Sequence, residues 1–167
     1  MEQKTNFLEM YRTAHNNAVA LLAEAELLFE HKKYARAYFL AFTGLEEIAK
    51  SQLAADVFTS FIEEETFWKY FKDHKRKIGR MAWASADAEE YLDVEQETYL
   101  EIDHPTTAQR MNALYVHFEG TEIKSPKDLF TEDDARAIIH TLRVAIDRII
   151  EMTEYWGHQI GTKDFMK

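Results

Sequence analysis

The sequence predicts an all-α protein built as a four-helix bundle. Glycine contributes five residues and proline two in a chain of 167, far below the roughly 12% that the two types make up in an average protein. Hydrophobic residues form 46% of the chain and aromatic residues 13%, which is enough to fill a core. Apolar residues also recur at three- and four-residue spacing in several long segments. Disordered, collagen-like and turn-rich all-β classes are therefore disfavoured.

The first two helices are predicted to fold back on each other. An apolar stripe from Leu8 to Leu28 predicts a first helix that stops near His31. A second stripe begins at Tyr34 and continues through Ile48. Because the link between the two stripes is so short, we expect the two helices to be antiparallel.

The middle of the chain predicts one short and one long helix. The aromatic segment between Phe58 and Phe71 has no regular apolar spacing, so the second helix is expected to end there. The same segment is long enough for a short separate helix. A third main helix is predicted from about His74 to Leu100. Pro105 ends or interrupts it, because the residue before a proline avoids helical backbone angles.

A long ordered connection before the last helix is predicted from Pro105 to Phe130, with a brief β-like run over residues 114–118. The last helix is predicted to begin after Thr131 as its N-cap and to repeat to Trp156, with three acidic residues in its first turn. The sequence therefore predicts four main helices in a single domain that spans residues 1–167.

Several function classes are excluded or disfavoured by composition. The chain has no cysteine, which excludes disulfides, thiolate zinc sites and cysteine nucleophiles. Its start lacks the pattern of a signal peptide, and no apolar stretch approaches the length of a membrane span, so we expect a soluble cytoplasmic protein. A di-iron core needs two Glu-x-x-His motifs, but only Glu101 to His104 fits, directly before Pro105. We therefore predict no metal and no other cofactor.

A basic segment stands out in a chain whose formal net charge is -10. That net charge opposes binding to nucleic acid unless positive charge is gathered locally. Six cations lie between Lys69 and Arg80 against the single acid Asp73. The candidate RNA-binding residues in this segment are Lys75, Arg76, Lys77 and Arg80. The alternative interpretation is a solvated helix end that balances the acidic run over residues 63–65.

A group of charged residues on the second helix is another candidate for part of a functional site. Glu46 and Lys50 are four residues apart, and Glu47 and Lys50 three apart, which places their charges on one helical face. Such residues commonly form a surface pair worth a few tenths of a kcal/mol. They are also candidates for a supporting polar cluster beside a functional site.

The order of residues along the chain carries a family resemblance. The segments that carry it are His15, Ala18 to Leu28, Tyr34-Ala-Arg-Ala-Tyr-Phe-Leu-Ala, Leu45-Glu-Glu-Ile-Ala-Lys50, His74-Lys-Arg-Lys77 and Leu114-Tyr115-Val116. Over roughly residues 10–150 the chain resembles the AbiV family of abortive-infection proteins, within the HEPN superfamily. The resemblance implies an α-helical HEPN bundle, commonly dimeric, that acts in bacterial defence against phage.

The resemblance also implies a pair of catalytic residues. Many HEPN proteins are metal-independent RNases that use an arginine and a histidine separated by four to six residues, and here Arg110 and His117 enclose six. Histidine exchanges a proton near neutral pH, so His117 suits proton transfer at the ribose 2′-OH or the leaving 5′-oxygen. Arg110 offers a planar fork of donors to the phosphate as negative charge develops. The 2′-OH requirement restricts such cleavage to RNA.

A second site is grouped by the same resemblance. Its members are His74, Lys75 and Lys77 with Glu46, Glu47 and Lys50. If the second and third helices are neighbours, the acids would orient His74 while the lysines bind phosphate. The alternatives are an interhelical polar network that fixes packing, or a surface that binds RNA without cutting it.

Two functions follow as hypotheses. The first is a homodimeric endoribonuclease that cleaves RNA and shuts down translation during phage infection. The second is a non-catalytic HEPN module that binds RNA, or a phage or host regulatory protein, and blocks translation without chemistry. An RNase needs His117 or His74 for activity, whereas a binding module does not.

Overall fold

The computed structural model describes residues 5–60, 62–72 and 107–156. Its elements are α1 (Phe7–Glu30), α2 (Tyr34–Phe58), α3 (Glu64–Lys72), α4 (Thr107–Leu114), β1 (His117–Glu119), β2 (Glu122–Lys124), α5 (Pro126–Leu129) and α6 (Glu132–Trp156). Helices dominate the described residues, which confirms the predicted mainly α fold. The main helix predicted from about His74 to Leu100 lies outside the described residues.

The pairing of α1 with α2 forms the centre of the fold. The side chain of Asn6 caps α1 by accepting a hydrogen bond from the backbone N–H of Glu9 at 3.1 Å. The helix ends at its C-cap, His31, where the sequence predicts a stop. Buried alanines in both helices, among them Ala18 and Ala41, are fully shielded from solvent. Small side chains at a helix contact let the two axes approach closely.

The last long helix, α6, packs against α2 and α1. Its start confirms the predicted N-cap, because the Thr131 hydroxyl accepts from the backbone N–H of Asp134 at 3.2 Å. The Asp134 carboxylate in turn accepts from the backbone N–H of Thr131 at 2.8 Å, so each residue satisfies a free donor of the other. Leu142, fully buried, lies against Gly44 of α2: a Cβ added at Gly44 would lie 2.5 Å from Leu142 Cδ2.

The aromatic segment after α2 forms a short separate helix, α3, as the sequence predicts. Phe67 on α3 is fully buried, and its ring centroid lies 5.0 Å from that of Phe7 at the start of α1. Leu53 and Ala54 of α2 complete this second apolar cluster. The cluster ties α3 to the ends of α1 and α2 that lie away from their short link.

The connection before α6 contains more regular structure than the sequence predicts. The chain forms α4 and then an antiparallel hairpin in which His117 faces Lys124 and Phe118 faces Ile123. The predicted β-like run over residues 114–118 is correct only at its end, because α4 continues to Leu114 and β1 begins at His117. A short apolar run has no period long enough to separate helix from strand, which explains the error.

No helix in the described part of the chain is both long and apolar enough to cross a membrane.

His15, on α1, predicts a measurable pH dependence of stability. Burial lowers the pKa of its imidazole below the ordinary 6.5, while a side-chain hydrogen bond with Asn16 acts more weakly in the other direction. The unfolded chain then binds more protons than the folded one as the pH falls through about 6.5, so stability is lost on acidification. His15→Gln is expected to lose less stability than wild type between about pH 7.5 and about pH 5.5, measured by urea unfolding.

The control is His140→Gln, which replaces an exposed histidine of α6. This variant is expected to keep the wild-type pH dependence. Equal slopes for wild type and His15→Gln would show that burial of His15 contributes nothing to the acid sensitivity of the fold.

Candidate functional site

Arg110 lies in the middle of α4, and its side chain reaches α2. Its Nη1 lies 3.5 Å from Oε2 of Glu46, and its Cζ lies 5.4 Å from the centroid of the Phe39 ring. Ala113, three residues later on the same face of α4, is fully buried and packs in the main core. Packing of this face against α2 therefore carries the guanidinium to Glu46.

Glu46 is a buried carboxylate, with 4% of the residue exposed. Burying a charged group is costly unless a partner of opposite charge and hydrogen bonds compensate it. Arg110 supplies that charge, and the Arg110 side chain itself remains 23% exposed. Its Nε is buried and has no hydrogen-bond partner among the described residues. The guanidinium is thus held against the bundle, while part of the Arg110 side chain stays open to solvent.

The supporting cluster predicted on α2 is divided by the structure. Glu47 and Lys50 form an ion pair with each other, and the Lys50 ammonium lies 5.8 Å from the centroid of the Phe71 ring on α3. Glu46 pairs instead with Arg110. The structure therefore joins Glu46 to Arg110, two residues that the sequence assigns to different candidate sites.

His117 is the first residue of β1 and is half-buried. It lies directly opposite Lys124, so both side chains stand on the same face of the hairpin. The Lys124 ammonium lies 3.1 Å from Glu119 and 3.2 Å from Glu122, and hydrogen bonds to these two carboxylates raise the pKa of Lys124. Within the described residues, no hydrogen bond or ion pair joins His117 to Arg110.

The remaining predicted site residues lie outside the described residues. They are His74, Lys75, Arg76, Lys77 and Arg80. The second candidate site, which groups some of them with the α2 acids, stays a prediction.

Two residues of α2 that contact α4 are not among the site residues that the sequence predicts. Phe39 lies beside the guanidinium of Arg110, and Arg36 donates from Nη1 to the carbonyl oxygen of Leu114 at 3.1 Å, which satisfies a free acceptor at the end of α4. A signal for both was present, because Arg36, Phe39 and Glu46 follow one another at spacings of three and seven and share a helical face. That face of α2 is the one that receives α4.

In the part of the chain that the structure describes, no three or more histidine, aspartate or glutamate side chains are arranged to hold a metal ion.

Long packed helices with one small hairpin place the chain in the mainly α class, and the architecture is consistent with the HEPN helical fold. The family model described as AbiV, of the HEPN type, matches residues 6–146, which include Glu46, Arg110 and His117. The chain therefore belongs to the AbiV family of HEPN proteins, the abortive-infection family that the sequence resembles. No curated protein and no solved structure matches it.

Proposed function

We propose that this AbiV-family protein is a metal-independent endoribonuclease that cleaves RNA during phage infection and so shuts down translation. The observation that supports this function best is the position of Arg110, whose guanidinium contacts both Glu46 and Phe39 while its side chain stays partly exposed. A cation held in place before the reaction stabilises developing negative charge without a cost of reorganisation.

The proposed reaction is an intramolecular transfer at phosphorus. The ribose 2′-oxygen attacks the adjacent phosphorus, the bond from phosphorus to the 5′-oxygen breaks, and the products are a 2′,3′-cyclic phosphate and a 5′-hydroxyl. The 2′-OH loses a proton and the departing 5′-oxygen gains one; His117 carries out one of these transfers and solvent water the other. Arg110 binds the non-bridging phosphate oxygens. Glu46 is a positioning residue, since it holds Arg110 and touches no substrate.

RNA, a second copy of the chain and a regulatory protein are the proposed partners. A homodimer would bring together two copies of the basic segment, whose residues Lys75, Arg76, Lys77 and Arg80 would bind the RNA backbone. Gathering positive charge in this way would offset a net charge of -10. A phage or host protein would act as the switch.

The second candidate function is a non-catalytic binding module. Phe118 and Ile123 face each other across the hairpin and are 69% and 70% exposed. An exposed apolar pair of this kind is typical of a surface that binds another protein. Under this function, Arg110 and Glu46 only fix α4 on α2, and no residue of the hairpin takes part in chemistry.

An RNA-cleavage assay tests the proposal. The purified protein is incubated with total RNA and with tRNA in excess EDTA, and the ends of the products are analysed. We expect cleavage that leaves 2′,3′-cyclic phosphates, and we expect His117→Ala to lower the rate about 100-fold because a positioned proton-transfer group is lost. His140→Ala, at an exposed position of α6, is the matched control and should cleave at the wild-type rate.

Two further variants assign the site. Loss of cleavage in His74→Ala but not in His117→Ala would move the chemistry to the second candidate site. Absence of cleavage by the wild-type protein, alone and with extract of infected cells, would contradict the RNase and favour the binding module. Arg110→Lys keeps the charge but loses the planar fork, so a reduced rate in this folded variant would support phosphate binding by the guanidinium.

A further inference from the structure

A cavity of about 470 Å³ lies where α4, α5 and α6 meet one residue of α2. Its apolar walls include the ring of Phe130. Its polar side chains are Tyr38, Gln109, Asn112, Asp134 and Thr141. No basic residue is among the described residues that line it, so an isolated phosphate has no counter-charge there. The cavity is suited to a ligand that is partly apolar and rich in hydrogen-bonding groups.

Tyr38 offers the cavity a hydroxyl that no described residue uses. The residue is only 6% exposed, and its ring packs on Phe130 with 4.5 Å between centroids. Its hydroxyl makes no hydrogen bond with any described residue and is not among the fully buried polar atoms that lack a partner, so it is accessible from the cavity. Burial and the charge of Asp134 raise the pKa of Tyr38 to about 12, so the hydroxyl keeps its proton and is a donor.

The other polar groups offer mainly acceptors and one amide. Asp134 uses Oδ2 to accept from the Thr131 backbone N–H and hydroxyl, which leaves Oδ1 as an acceptor. The Thr141 hydroxyl donates to the Ala137 carbonyl at 3.0 Å, so its oxygen is left to accept. Asn112 offers both a donor and an acceptor. The set suits a planar group that presents N–H donors beside a ring acceptor.

We propose that this cavity binds a nucleobase that carries an exocyclic amino group, which means adenine, cytosine or guanine. The amino N–H groups would donate to Asp134, the Tyr38 hydroxyl would donate to a ring nitrogen or carbonyl, and Phe130 would contact the ring. Uracil has a carbonyl oxygen where cytosine has its amino group. This oxygen and the Asp134 carboxylate are both acceptors, so they would repel each other instead of forming a hydrogen bond. The cavity thereby separates bases by their hydrogen-bonding edge.

The base belongs either to an RNA strand or to a free nucleotide. Gln109 and Asn112 lie on α4, which carries Arg110 on another face, so an RNA strand with a base in the cavity would contact the helix that carries Arg110. This placement on an RNA strand rests on the proposed RNase function. The preference for an amino-bearing base does not, because it depends on the lining of the cavity alone.

Binding of mononucleotides tests the preference. The four nucleoside monophosphates and ribose 5-phosphate are titrated into the full chain carrying His117→Ala, which separates binding from cleavage, and the side-chain amide of Asn112 is followed by NMR. We expect CMP to bind at least about tenfold more tightly than UMP, and Tyr38→Phe to weaken CMP binding about fivefold. Asn112→Ala, followed by calorimetry, should weaken it to a similar extent.

Tyr34→Phe is the matched control, because this tyrosine lies one turn earlier on α2 and its hydroxyl donates to Glu132 outside the cavity. Equal binding of UMP and CMP, equal binding of ribose 5-phosphate, or unchanged CMP binding in Tyr38→Phe would each overturn the proposal. A single-stranded RNA of about six nucleotides with one cytosine among uracils identifies the source. Tighter binding than CMP would assign the base to a strand, and equal binding would assign it to a free nucleotide. These binding measurements do not require cleavage, so they test the base preference even if the protein does not cleave RNA.

Discussion

Arg110→Gln is expected to lower the free energy of unfolding by about 3 kcal/mol. The cost arises at Glu46, because removal of the guanidinium leaves a buried carboxylate without the charge that lies 3.5 Å from it. The remaining cost comes from the lost contact between the guanidinium and the ring of Phe39. Urea unfolding near neutral pH, with the transition followed by circular dichroism, measures the change.

A double variant shows whether the cost comes from the unpaired charge. Glu46→Gln combined with Arg110→Gln removes both charges, so the pair is expected to recover part of the stability that Arg110→Gln loses. Arg136→Gln is the matched control, since Arg136 pairs with Glu132 on the exposed surface of α6 and should change stability little. If Arg110→Gln costs no more than Arg136→Gln, Arg110 does not hold the Glu46 carboxylate, and this carboxylate does not fix the guanidinium.

Gly44→Val is expected to cost about 3 kcal/mol of stability through a clash between α2 and α6. A Cβ at position 44 would lie 2.5 Å from Leu142 Cδ2, which is too close for two carbon atoms that are not bonded to each other. Leu142 is fully buried, so its side chain cannot move into solvent to make room. The two helices would have to move apart, and packing around the contact would be lost.

Thermal and urea unfolding of three variants check this explanation. Ala20→Val introduces the same valine side chain at an exposed position of α1 and should cost far less. Leu142→Ala opens space opposite Gly44, so Gly44→Val is expected to cost less in that background than in wild type. Additive effects of the two substitutions would show that the contact with Leu142 is not the cause.

Local patterns in the sequence determined the main helices and the family. The three- and four-residue apolar periods predict α1, α2 and α6 with their ends close to the observed ones, because each period is a property of one continuous segment. The cap at Thr131 was equally visible, since its partner Asp134 lies only three residues away. The resemblance to the AbiV family also depends on the linear order of residues, and the family match confirms it.

The tertiary structure alone decided which of these residues meet. Glu46 and Arg110 lie 64 positions apart, and nothing near either of them in the sequence shows that α4 docks on the face of α2 that carries Glu46. The sequence therefore groups Glu46 with Glu47 and Lys50 on its own helix, whereas in the structure only Glu47 pairs with Lys50 and Glu46 pairs with Arg110. The cavity beside Tyr38 likewise cannot be predicted from the sequence, because residues of four separate helices form its walls. Periodicity records which face of a helix is buried, whereas the partner of that face depends on how the whole chain packs.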